Sequence, residues 1–374
     1  DMPDIALFLG CSLVLVHLAS LVLAWRKCSR APVRRMEVGR VTLVRPVCGL
    51  EYQLAETLRS SFVQDHPDYE VIFCAQSPDD PAVKLVRQLM ENNPGIDTRL
   101  LLGESAFSQN PKLNNMAKAW SQATGDLVIF ADSNLMLPPD YCSSIASACA
   151  HSGAILVSSP PVGDLAEGFF GEVECAMLNT HAARWQFAAA EVRYDFAQGK
   201  TLAFDRRAFG PDLMLNLASE PAEDAAATKL VRSMSAKLHV FAPAFVHPVG
   251  RRSMAAFWAR HVRWARLRRS TFPIVFSLEA GCGVFPALFV FLLSPTLSST
   301  PAVAVFFATI GLMHGAEFLL ARRLGWRTNW LFFPACIVRD AFLPAFYIAA
   351  WASARFEWRG RMIDGAVKRP MLSR

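Results

Sequence analysis

The chain has 374 residues, of which 53% are hydrophobic and 19% charged, with a formal net charge of +6. That length holds one sizeable soluble domain plus several membrane segments. The apolar residues crowd the two ends, which argues against a wholly soluble enzyme, and the basic clusters flank them, which suits anionic headgroups rather than nucleic acid.

From Ile5 to Ala24 nearly every residue is apolar, enough to cross a bilayer at roughly 1.5 Å per residue. Asp1 and Asp4 precede this run, and Lys27, Arg30, Arg34 and Arg35 follow it, with no small-residue cleavage site. A signal anchor is therefore expected rather than a cleaved signal peptide, with the polar domain on the cytoplasmic side. The nine cysteines show no CxxC pair and no metal-ligand spacing, as expected of a reduced compartment.

Strand and helix patterns then alternate. Residues 41–47 read as a strand, 51–61 as a helix, 69–74 as a strand and 82–92 as a helix. A third strand is expected over 98–102, and a helix runs from Asn110-Pro111-Lys112 to about Gln122. The compact apolar run 126–131 ends directly in Asp132, and a helix and strand follow over 139–149 and 154–159. The segment 160–210 reads as less regular, with a candidate edge strand at 200–204. Ser219 and Pro221 are start signals for a helix over 222–235, which puts Glu223 and Asp224 in its first turn.

Toward the C-terminus, Arg260, Arg263 and Trp264 are spaced i, i+3 and i+4 on one helical face within the basic stretch 251–270. Apolar runs follow over 272–294, 300–320 and 330–352. Glu279 lies in the first, and Arg339-Asp340 interrupts the last. Charges in hydrocarbon are costly unless paired, so a re-entrant or interfacial stretch is expected. Three full crossings would also place the basic tail outside the cytoplasm, against the positive-inside tendency. One C-terminal segment is therefore expected to fall short of crossing.

The alternation predicts an α/β fold with a mostly parallel sheet covered by helices. Ligands in such sheets bind beyond the carboxyl ends of the strands, where Asp79-Asp80 and Asp132 fall. No glycine-rich dinucleotide fingerprint or P-loop is present. Asp132 could hold Mg2+ or Mn2+ across a diphosphate, or simply cap a turn. Glu223-Asp224 could supply a general base, or only helix-end electrostatics. The Arg260 and Arg263 guanidinium groups could neutralise a pyrophosphate, with Trp264 walling a sugar or acceptor; a basic interfacial helix is the plainer reading. Lys112 and Asn114 could bind phosphate and donor hydroxyls, or cap their helix. His181, His239, His247 and His261 form no zinc-like cluster.

Several motifs in fixed order resemble the ceramide glucosyltransferase family, a membrane branch of the inverting GT-A glycosyltransferases. They are Asp68-Tyr69-Glu70-Val71-Ile72-Phe73-Cys74, Asp79-Asp80-Pro81-Ala82, Asn110-Pro111-Lys112-Leu113-Asn114-Asn115, Asp132-Ser133, Glu223-Asp224 and Arg260-His261-Val262-Arg263-Trp264. Trp358-Arg359-Gly360-Arg361 resembles a family tail motif. The resemblance implies that Asp79 and Asp80 serve nucleotide recognition, although Ser77 stands where many relatives carry an acid. It implies that Asp132 binds metal and UDP-sugar, that Asp224 is the base, and that Arg260, Arg263 and Trp264 form the terminal motif. His181 falls on the acceptor side, without the proline familiar after it.

The expected organisation is an anchor (1–28), a GT-A domain (29–250), a basic interfacial helix (251–271), C-terminal membrane segments (272–356) and a basic tail (357–374). The implied reaction moves glucose from UDP-glucose to the primary hydroxyl of ceramide with inversion, at the inner membrane of a bacterium. A hopanoid N-acetylglucosaminyltransferase, a processive polysaccharide synthase and a silent lipid-binding scaffold are the alternatives. The partners are a UDP-sugar donor, a membrane lipid acceptor and the bilayer, with no obligate protein partner implied.

Overall fold

The computed structural model describes residues 4–31, 35–36, 39–103, 106–358 and 361–364; Arg34, most of the expected basic tail, and Arg359 and Gly360 of its Trp358-Arg359-Gly360-Arg361 motif lie outside the described residues. The chain divides into two compact units. Among the described residues, a sheet unit falls within Arg30–Val162 and Arg193–Pro248, and a membrane unit within Asp1–Ser29, Gly163–Val192 and 249–364.

In chain order, α1 (Ile5–Cys28) leads to β1 (Val41–Pro46), α2 (Leu54–Arg59), β2 (Tyr69–Ala75) and α3 (Pro81–Glu91). Next come β3 (Asp97–Leu102), α4 (Pro111–Gln122), β4 (Leu127–Ala131), α5 (Tyr141–Ser152) and β5 (Leu156–Ser158). Then β6 (Pro161–Glu167), α6 (Phe169–Ala176), a π-helical turn (Met177–Ala183) and α7 (Arg184–Glu191) precede β7 (Thr201–Asp205). After α8 (Leu213–Leu217), α9 (Glu223–Ser233), β8 (Leu238–Val240) and β9 (Phe245–Arg251), the chain is helical: α10 (Met254–Thr271), α11 (Pro273–Leu278), α12 (Val284–Leu292), α13 (Ala302–Arg323) and α14 (Phe332–Ala352). A short hairpin, β10 (Arg355–Trp358) with β11 (Arg361–Asp364), follows.

The main sheet has seven strands in the order β3-β2-β1-β4-β7-β5-β8, and β6 pairs with β9 separately. From β3 to β4 all neighbours are parallel, as the alternating pattern predicts. The run Leu127-Val128-Ile129-Phe130-Ala131 is buried throughout, which is why it is apolar without alternation. Val41, Leu43, Val71, Phe73, Ile129 and Tyr141 build the core on one side of the sheet.

Two expectations need correction. The 200–204 strand is interior: β7 lies between β4 and β5 and is antiparallel to both. Leu202, Ala203 and Phe204 are fully buried, so this strand has no polar face to expose at an edge. The segment 160–210, expected to be less regular, holds β6, then an unbroken helical run through α6, the π-helical turn and α7, and then β7. Helix α9 runs Glu223–Ser233, one residue later at its start than the expected 222–235, with Glu223 and Asp224 in its first turn; its N-cap position is Ala222, without a side-chain cap.

In the membrane unit, α1, α13 and α14 are each long and apolar enough to cross a bilayer. The apolar run over 272–294, where Glu279 led to the expectation of a re-entrant or interfacial stretch, is a helix pair, Pro273–Gly281 and Val284–Leu292, bent by 58°. Arg339 and Asp340, expected to interrupt the last span, sit inside continuous α14. Their charges are compensated rather than exposed: Arg339 Nη2 lies 3.1 Å from Glu317 Oε2 and 2.7 Å from Asp340 Oδ1. Arg184 and His17 also approach Glu317, each at 3.6 Å. A buried network of opposite charges is the form in which ionisable side chains persist in hydrocarbon.

Candidate active site

The chemistry of the sheet unit gathers at the carboxyl ends of β1 and β4 and the start of β7. Asn110 caps α4, its Oδ1 accepting from the Lys112 and Leu113 amides at 2.9 and 3.2 Å, with Pro111 at the first helical position. The same side chain donates from Nδ2 to Glu223 Oε2 at 2.7 Å. Lys112 Nζ lies 2.8 Å from Asp132 Oδ1 and 2.8 Å from Glu223 Oε1, and donates to the Gly199 carbonyl. Lys200 Nζ lies 3.1 Å from Asp132 Oδ2 and donates to Asn134 Oδ1. Asp224 Oδ2 accepts from the Gly199 amide at 2.9 Å. A Cβ at Gly199 would stand 2.9 Å from Glu223 Oε1 and 3.2 Å from Lys112 Nζ, so any larger residue there would have to displace the ends of these side chains.

The carboxylates are driven apart electrostatically. Burial alone would raise Asp132, but Lys112 and Lys200 outweigh it and hold the group well below the usual carboxylate range. Burial alone would lower Lys112, but Asp132 and Glu223 outweigh it and keep the ammonium charged. Asp224 is pushed up to about 6, first by burial and then by the neighbouring Glu223 charge. A carboxylate that titrates close to neutral pH can take a proton during a reaction and release it afterwards.

Sequence reasoning named part of this cluster. Asp132, Lys112 and Asp224 come together as described, with Glu223 beside them. Asn114 is buried and locked on the 108 turn: Oδ1 accepts from the Ser108 amide at 3.0 Å, and Nδ2 donates to the Ser108 carbonyl at 3.0 Å. Asp80 caps α3 through the Ala82 amide at 2.9 Å, and its Oδ1 also accepts from the Gly49 amide at 2.9 Å. It thus ties together the loops after β1 and β2, while neighbouring Asp79 is exposed.

Lys200, Glu51 and Arg45 were missed. Lys200 gave no local signal, because its approach to Asp132 follows from the pairing of β7 with β4; the Asp132 amide donates to the Lys200 carbonyl at 3.1 Å. Glu51 accepts from Ser133 Oγ and Asn134 Nδ2, both at 3.1 Å. Arg45, fully buried on β1, donates from Nη2 to the carbonyls of Thr57, Ser133 and Leu135 at 3.0, 3.1 and 2.9 Å. It fixes the backbone that follows Asp132. A charged residue within a buried strand was the available clue.

A small hard cation fits the oxygens of Asp132 and Asn134, since a positive group, the Lys200 ammonium, already rests on both. Among the described residues, His314, Glu317 and Cys336 are also close enough to share an ion. There, however, Arg339 already meets Glu317, its Nη2 donating to both carboxylate oxygens at 3.1 Å.

In the membrane unit, the remaining candidates lie on α10 and the π-helical turn. Glu174, fully buried on α6, accepts from Arg260 Nη1 at 3.1 Å and faces His261 Nε2 at 2.9 Å. The Arg260 guanidinium stands 5.7 Å from the Trp264 ring centre, a cation–π arrangement that confirms their shared face. Arg263 is half-buried one turn beyond Arg260. His181 is half-buried on the π-helical turn, and burial, reinforced by Arg339 and Arg184, pushes its imidazole well below the usual range. The ring is therefore neutral.

Comparison with known proteins agrees with this architecture. The profile of Glycosyl transferase family 21 matches residues 6–367. Ceramide glucosyltransferase 3 of Caenorhabditis elegans is 25% identical over 277 residues, covering 74% of this chain and 60% of that protein. The ceramide glucosyltransferase of Komagataella phaffii is 37% identical over 103 residues, covering 26% of this chain and 20% of that protein. The chain thus spans less than two thirds of the length of these relatives. Among solved structures, the mannosyltransferase PcManGT from Pyrobaculum calidifontis, in complex with GDP-Man and Mn2+, superposes with a TM-score of 0.52 at 19% identity. That match covers 93% of this chain and 98% of the mannosyltransferase, and it establishes a shared fold.

Proposed function

The chain belongs to glycosyl transferase family 21, and from that premise we propose that it transfers glucose from UDP-glucose to the primary hydroxyl of ceramide with inversion, at a membrane surface. The observation that carries this reading is the pairing of two differently tuned acids. Asp132 is held ionised by Lys112 and Lys200, while Asp224, pushed up to about 6, is poised as a base.

The donor diphosphate is proposed to bind against Lys112, whose ammonium is kept charged by its acidic partners. Asp224 takes the proton from the acceptor hydroxyl as that oxygen attacks the anomeric carbon, and the bond to the UDP oxygen breaks on the opposite face. Asp224 therefore holds the proton after transfer, and its half-buried position permits return of that proton to water. Glu223, bonded by Asn110 and Lys112, lies beside Asp224 and raises its basicity. Asp132 and Asn134 would hold Mg2+ or Mn2+, which when bound neutralises diphosphate charge. On their motif, Arg260 and Arg263 are assigned to the leaving UDP, Trp264 to a sugar or acceptor wall, His181 to the acceptor, and Asp79 and Asp80 to the nucleotide. Membrane anchoring with the sheet unit facing the cytoplasm completes the proposal.

The test is glycosylation by the purified protein in detergent. UDP-glucose, UDP-galactose and UDP-N-acetylglucosamine are each offered with ceramide and with a hopanoid, and products are identified by mass spectrometry. One hexose on ceramide is expected, and Asp224→Asn is expected to reduce the rate about 10²–10⁴-fold. An N-acetylhexosamine on the hopanoid would replace the substrates, and turnover undiminished by Asp224→Asn would remove the assigned base.

A further inference from the structure

Three carboxylates, Asp132, Glu223 and Asp224, share the cluster with two ammonium groups, Lys112 and Lys200. With Asp224 ionised, three negative charges against two positive leave the cluster one unit negative. A diphosphate is repelled by such a site unless positive charge is added or redirected toward it.

The two lysines are held differently. Lys112 bridges Asp132, Glu223 and the Gly199 carbonyl. Lys200 rests on Asp132 Oδ2 at 3.1 Å and on Asn134 Oδ1, the oxygen pair that suits a hard cation. Its backbone is fixed to Asp132 by the bond from the Asp132 amide to the Lys200 carbonyl at 3.1 Å. Its flexible stem nonetheless lets the ammonium swing while the backbone stays in place.

We propose that Lys200 is a second diphosphate-binding residue, and that its ammonium and a divalent cation are mutually exclusive occupants of the Asp132 and Asn134 oxygens. With no cation, Lys200 neutralises Asp132. When a cation takes those oxygens, like-charge repulsion drives the ammonium off, and the phosphates of the donor receive it. The device holds Asp132 compensated at every stage and delivers two positive charges to the diphosphate in place of one. Its nucleotide arm rests on the donor reading above.

The experiment compares the full-length wild type, Lys200→Met and Lys200→Arg in detergent, with thermal melts to establish folding. Mn2+ binding is titrated without nucleotide by electron paramagnetic resonance, and UDP binding is titrated calorimetrically at saturating Mn2+. Lys200→Met is expected to bind Mn2+ about tenfold more tightly, because the competing ammonium is gone, and UDP about tenfold more weakly, because a charge-assisted contact is lost. Lys200→Arg is expected to keep both affinities near the wild-type values. Both signs are required. Unchanged or weaker Mn2+ binding by Lys200→Met overturns the exclusion, and undiminished UDP binding overturns the phosphate role. Failure of the wild type to bind UDP at saturating Mn2+ instead sinks the donor reading, and the Mn2+ titration without nucleotide still decides the exclusion.

Discussion

At the scale of single residues, Asp224 sets the expected pH dependence. Its carboxyl titrates at about 6 because burial and Glu223 disfavour the charge, and a base acts only when ionised. The rate constant kcat/KM should therefore rise about tenfold per pH unit in acid and level off above about 6. Glu223→Gln removes the second cause of the shift, so the acid limb of the profile should move to lower pH. A pH–rate profile of both proteins reads this, and a limb that stays in place would separate Glu223 from the tuning. The acids themselves were legible in the sequence, as Asp132 closed an apolar strand and Glu223-Asp224 opened a helix. Which of the paired acids would be raised was not legible, because that depends on Lys112 reaching Glu223 from 111 residues away in the chain.

At the scale of elements, β7 and α14 depart most from their sequence patterns. A short apolar strand fits an edge or an interior position equally well by periodicity, and the choice was made by its two neighbours, β4 and β5. That choice is what carries Lys200 to Asp132. In α14, Arg339-Asp340 looked like a break in an apolar run, but their partners Glu317 and Thr180 lie on other segments. Arg339→Leu should leave Glu317 and Asp340 as buried charges without adequate compensation, costing about 3–5 kcal/mol. A melt in detergent should show a clear fall in Tm, and an unchanged Tm would mean that the network contributes little to stability. On β1, Arg45→Met strands three backbone carbonyls at about 1–3 kcal/mol for each group left unsatisfied. It should lower Tm and loosen the Asp132 loop together.

At the scale of the whole molecule, three helices and a bent pair suited to a bilayer predict that the protein sediments with membranes, resists extraction by alkaline carbonate and is released by detergent. Release by carbonate alone would contradict spanning helices. The sequence by itself determined the division into apolar ends and a polar middle, the parallel strands from β3 to β4, and the acids at strand and helix ends. These follow from hydrophobic periodicity and local capping, which act over a few residues. Tertiary structure alone decided the interior place of β7, the bend between α11 and α12, and the helical 169–191 segment within the membrane unit. It also decided the two ammonium groups on Asp132 and the charge network around Glu317. Each of these depends on contacts between segments far apart in the chain, where the partner's position, and not the residue's own neighbours, sets whether a buried charge is compensated.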